Sequence, residues 1–125
     1  MEFNPVSWFE IYVQDMARAT KFYETVLDVK LERLTSPDPH IEMMAFPMGM
    51  ERAGASGALA KMDGVSSGGN SILVYFNCKD CATEASRVES AGGRIQTQKT
   101  SIGEYGFFAL AVDTEGNMLG LHSME

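Results

Sequence analysis

Two stretches of this chain follow one plan, and that duplication limits the folds open to it more than any other feature. WFEIYVQD, Trp8 to Asp15, and SILVYFNCKD, Ser71 to Asp80, each carry an apolar and aromatic run into an aspartate that opens a helical pattern. The two aspartates lie 65 residues apart, an offset that carries Glu10 onto Tyr75. Alternation predicts a strand over Ser7 to Val13. Asp15 then caps a helix whose Ala19, Phe22, Tyr23 and Val26 recur at helical spacing and whose end falls near Leu27 or Asp28. Three strands follow, Val29 to Leu34, Ile41 to Pro47 and Ala55 to Lys61, parted by SPDPH and the glycine-bearing MGMERAG.

The same order returns after MDGVSSGGN, Met62 to Asn70, whose Gly/Ser-rich composition is that of a linker. A strand is predicted over Ser71 to Cys78, a helix over Asp80 to Ala91 stopped by Gly92 and Gly93, and strands over Arg94 to Thr100, Phe107 to Asp113 and Met118 to His122. DTEGN forms the last hairpin turn. The chain therefore reads as one domain of two β-α-β-β-β modules, residues 1–62 and 70–125. At 125 residues it is long enough to bury roughly two thirds of its unfolded surface.

Charge narrows the partners. Seventeen acids against ten bases, a formal charge of −7, repel phosphate backbones and argue against nucleic acid. MEFNPVSW has neither the basic start nor the apolar stretch of a signal peptide, and no run approaches a spanning helix, so a cytoplasmic protein without membrane contact is expected. Cys78 and Cys81 are too few and too close to staple a domain.

The duplicated units, with VQDMARATKFYETVLDVKLE in the first and RVESAGGRI and AVDTEGNMLGLHS in the second, resemble the vicinal oxygen chelate superfamily, which includes glyoxalase I, extradiol dioxygenases and the bleomycin-resistance proteins. The resemblance implies an α+β fold in which two curved sheets form an incomplete barrel around a cleft, and a homodimer. It also implies a divalent ion held by the first and last strands of each half. Those four positions fall on Trp8, Ala58, Leu73 and Gly120, none of which can hold a metal, so the usual ion is not expected.

Side chains two apart on a strand share a face, which places Glu10 and Tyr12 beside Trp8, Tyr75 and Asn77 beside Leu73, and His122 beside Gly120. Two functions fit. In the first the cleft binds a small organic molecule without metal, through Trp8, Tyr12, Tyr75, Asn77 and Tyr105. In the second the protein is a lyase or isomerase related to lactoylglutathione lyase. Glu10 would then take a proton next to a carbonyl while His122 or Tyr75 donates, or Glu10 and His122 would hold a displaced metal. A purely structural Glu10–His122 pair is the plainer alternative.

Other features say less. CKDC sits at a strand-to-helix junction, where a helix start can activate a thiol, but it lacks the flanks of a redox motif. Of the nine methionines, Met43, Met44, Met48 and Met50 cluster, as core filling or as an adaptable pocket wall. SIGEYGFF offers Glu104 and Tyr105 on a glycine-flanked loop, a lid or an ordinary hairpin; His40, between prolines, is assigned no role.

Overall fold

Alternation in the first strand separates a core face from an open face. In the computed structural model, which describes residues 4–36 and 38–125, β1 spans Trp8–Tyr12, with Phe9 and Ile11 against the core and Trp8 and Glu10 exposed. Met1 to Phe3, part of the leader reading, and Pro37 within SPDPH lie outside the described residues. Asp15 accepts the Arg18 amide at 3.0 Å and caps α1, Met16–Leu27, which buries Met16, Ala19, Phe22, Tyr23 and Val26. The helix stops at Asp28, whose left-handed backbone (φ 54°) sends its amide back to the Glu24 carbonyl.

β2 (Glu32–Leu34), β3 (Glu42–Ala45) and β4 (Ser56–Lys61) complete a sheet ordered β1-β4-β3-β2, with β1 and β4 parallel. The second half repeats this with β5 (Val74–Asn77), α2 (Cys81–Ala85), β6 (Arg94–Ser101), β7 (Phe107–Val112) and β8 (Met118–Ser123) in the order β5-β8-β7-β6. The fold is thus α+β, two four-stranded mixed sheets with helices, not closed into a barrel.

One helix is shorter than its sequence predicts. The pattern over Asp80 to Ala91 yields five helical residues, then a succession of turns. Arg87 and Val88 bond three residues back, to Glu84 and Ala85, while the Ser86 and Ser90 hydroxyls bond the Thr83 and Arg87 carbonyls. Serine hydroxyls compete with helical pairing in this way.

The halves share one core. Phe9, Tyr23 and Phe46 from the first half and Phe76 from the second pack with ring centroids 5.4–6.0 Å apart. A polar clasp adds to this. The Asp113 carboxylate accepts the buried Tyr23 hydroxyl at 2.6 Å and the amides of Glu115 and Asn117. Glu115 accepts the Gln14 and Asp15 amides at 2.9 Å each and both arms of the Arg18 guanidinium, at 2.6 and 2.9 Å. Burial works to raise the Glu115 carboxyl, but Arg18, the Asp15 amide, Thr114 and the Gln14 amide outweigh it and hold it at about 2. The DTEGN turn of one half therefore completes the helix entrance of the other.

Candidate functional site

β1 and β5 are edge strands, each hydrogen-bonded to its own sheet on one side only, and their core-facing rings Phe9 and Phe76 meet at 6.0 Å. Between the two strands opens a cavity of about 680 Å³ that Trp8, Glu10 and Tyr12 enter from one side and Leu73, Tyr75 and Asn77 from the other, with Val74 and the core-side Phe9, Ile11 and Tyr23 also on its wall. Glu10 enters it from the face that period-two alternation predicts. The far wall comes from the inter-module segment, which is tied down rather than free: Ser67 donates to the Glu115 carbonyl (2.7 Å), the Gly68 amide to Asn117 (2.7 Å), and Asn70 exchanges bonds with the Met118 backbone. Its Ser, Gly and Asn residues read as a tether because those pairings are invisible locally.

Glu10 is gripped by aromatic neighbours. The Trp8 indole donates to one carboxylate oxygen at 3.2 Å and the Tyr12 hydroxyl to the other at 3.1 Å. Burial, and then the bond to Glu10 and its charge, raise the Tyr12 hydroxyl above its usual range, so Tyr12 stays a donor. Asn117 sets the strand from behind, donating to the Tyr12 carbonyl at 2.9 Å while its oxygen receives Gly68. Sequence reading took Asn117 for a turn residue only. Its position in DTEGN carries no signal of a role at β1, 105 residues earlier.

His122 is placed differently. Its Nε2 lies 2.6 Å from the Tyr105 carbonyl, which can only accept, so Nε2 carries the proton. The ring lines a second, apolar cavity of about 430 Å³ with Ile102, Phe108 and the same Tyr75 and Asn77 that wall the first. Glu10 and His122 thus open onto adjoining cavities, and among the described residues they share no hydrogen bond or salt bridge. The Tyr105 side chain, 68% exposed, lines neither cavity; its backbone alone reaches the site.

The ion that the fold implies needs donors at Trp8, Ala58, Leu73 and Gly120. An indole N–H has no lone pair to give, and the other three side chains have no donor atom at all. At Gly120 the reason is also steric: it pairs with Tyr75, whose ring lies where a side chain on residue 120 would begin. The residues at these positions do not fit the ion. Among the described residues no group of three or more His, Cys, Asp or Glu side chains could hold one.

The remaining candidates lie elsewhere. Cys81 is buried, and burial, then Glu84 and Cys81, push the Cys78 thiol up to about 12. At pH 8 native Cys78 should therefore react with iodoacetamide on the order of a thousandfold more slowly than an ordinary cysteine, as peptide mass spectrometry would show. Met44 packs on the core while Met50 is fully exposed. His40 lies on an open hollow of about 810 Å³ whose charges are mixed, with Arg33 and Glu42 paired at 3.4 Å. No described helix is long and apolar enough to cross a membrane.

A family model, the Glyoxalase/Bleomycin resistance protein/Dioxygenase superfamily, matches residues 6–121. Among solved structures, glyoxalase I from Zea mays is 24% identical with a TM-score of 0.72; the match covers 96% of this chain but 46% of the maize one, so this chain spans about half that enzyme. Leishmania major glyoxalase I is 21% identical, with a TM-score of 0.69 and coverage of 98% and 88%. TnmS3, an antibiotic binding protein from Streptomyces sp. CB03234, is 21% identical, with a TM-score of 0.65 and 98% coverage of both chains. These likenesses establish the fold. No protein with curated annotation matches the sequence.

Proposed function

The chain belongs to the glyoxalase/bleomycin resistance protein/dioxygenase superfamily, and from that premise we propose that it binds a small organic molecule in the cleft between β1 and β5, without the metal ion of the family's enzymes. The observation that carries this is the exchange of side chains on the cleft face. Where metal donors would stand there are Trp8 and Leu73 on the cavity wall, a buried Ala58, and a glycine covered by the Tyr75 ring, and the cavity mixes apolar and aromatic side chains with hydroxyl and amide groups and one carboxylate. That is the make-up of a small-molecule site. An antibiotic binding protein of nearly the same extent shares the fold, which supports binding as a use for such a cleft.

The test is metal analysis together with thermal unfolding. Protein purified without chelator should carry only substoichiometric nickel, zinc or iron. A panel of aromatic compounds should contain ligands that raise its Tm; at a hundred times Kd the gain is about 2.7 kcal/mol, or roughly 5–10 °C for a chain of this size. A stoichiometric ion that disappears in Glu10→Ala would overturn the metal-free reading in favour of a lyase or isomerase using Glu10 and His122.

A further inference from the structure

The charge of the β1–β5 cleft is as specific as its shape. Among the described residues that line it, Glu10 bears the one formal charge; the rest are apolar, aromatic, hydroxyl or amide groups. Glu10 has no salt-bridge partner, since the ion pairs of the described residues join Arg18 to Glu115, Arg33 to Glu42 and Lys99 to Asp80. Its two hydrogen bonds come from neutral donors at 3.1–3.2 Å, which orient the carboxylate without neutralising it. Both donors are aromatic, and the Tyr75 side chain, 49% exposed on the opposite wall, adds a third π-system. Ring faces attract cations, and the Glu10 carboxylate, exposed in the cleft and held by the edge groups of two rings, stands free to pair with a cation that stacks on them.

Resting on the binding function proposed above, we infer that the occupant is a flat aromatic cation whose positive charge sits against Glu10, with its ring between Trp8 and Tyr75. The alternatives fit less well. An anion would meet Glu10 without a compensating base on the cleft wall, and a neutral ring would leave the carboxylate desolvated and unpaired. The chain's overall charge of −7 draws cations in the same direction.

Trp8 is the only tryptophan and borders this cleft as well as a hollow beside Met48 and Gly54, so an emission change counts for the cleft only where Tyr75→Ala, which alters the cleft wall and not that hollow, weakens it. Three probes of similar outline, 1-methylquinolinium, neutral quinoline and 2-naphthoate, are titrated by calorimetry and by Trp8 emission, against the native protein and against Glu10→Gln. The methylquinolinium should quench Trp8 saturably and bind about tenfold more tightly than quinoline. The naphthoate should bind weakest, and Glu10→Gln should erase the preference by weakening the methylquinolinium and easing the binding of quinoline. Equal binding of cation and neutral ring overturns the charge selectivity but leaves the binding function standing. A preference that survives Glu10→Gln overturns the role of Glu10. Failure of all three probes to bind or to move Trp8 emission counts against the cleft itself.

Discussion

Glu115→Ala is expected to lower unfolding stability by about 3 kcal/mol, or roughly 10 °C in Tm. The substitution leaves the Gln14 and Asp15 amides without their acceptor and strips a bidentate partner from Arg18, at the point where the second half holds the first helix. The pH dependence checks the cause. Glu115 titrates near 2 in the folded protein against 4.5 as an ordinary glutamate. A carboxyl lowered on folding stabilises above its unfolded value and loses that contribution as pH falls through the folded one. Its share of stability, on the order of 3 kcal/mol, is therefore complete above about pH 5 and fades toward pH 2. Urea titrations at pH 7 and pH 3 should show the native protein losing about 2 kcal/mol more stability than Glu115→Gln, the remainder fading below pH 3. Parallel losses in the two proteins would refute the clasp.

Gly57→Ala should cost about 2–3 kcal/mol for an unrelated reason. Gly57 pairs with Phe9 in the parallel β1–β4 ladder, and a methyl group there would sit on the Phe9 carbonyl and against its ring. The Phe9 ring belongs to the aromatic cluster that joins the halves, so its displacement strains the shared core and moves the strand that presents Trp8, Glu10 and Tyr12. Denaturant unfolding measures the first effect and Trp8 emission the second. Ser56→Ala, one residue earlier on the same strand, is the control; it loses only the 3.3 Å bond from its hydroxyl to the Pro47 carbonyl and should cost no more than about 1 kcal/mol. An unchanged midpoint and emission in Gly57→Ala would mean that β1 is not packed as described.

The glycine under Tyr75 shows how one position serves both fold and function. A family ligand restored at Gly120 would have to expel the Tyr75 ring from its place, so the aromatic wall of the cleft and the metal cage are mutually exclusive at that point. Tyr75 also stands between the Glu10 cavity and the His122 cavity. A ligand long enough to reach both passes over Tyr75 or Asn77, the two residues that the cavities share.

Element order, the duplication and the outward face of β1 were legible from the chain alone, because alternation, helical spacing and aspartate caps are local and each acts within a few residues. Hence Trp8, Glu10 and Tyr12 could be placed on one face, with Tyr75 and Asn77 on another. Tertiary structure alone decided that DTEGN locks the entrance of α1, that the inter-module segment is pinned as a cleft wall, and that Glu10 and His122 look into different hollows. Those outcomes depend on bonds such as Arg18 to Glu115 and Asn117 to Tyr12, between residues 97 and 105 positions apart. The length of α2 was lost for a subtler reason: serine hydroxyls that bond backward, as those of Ser86 and Ser90 do, occur in a helix and in a run of turns alike.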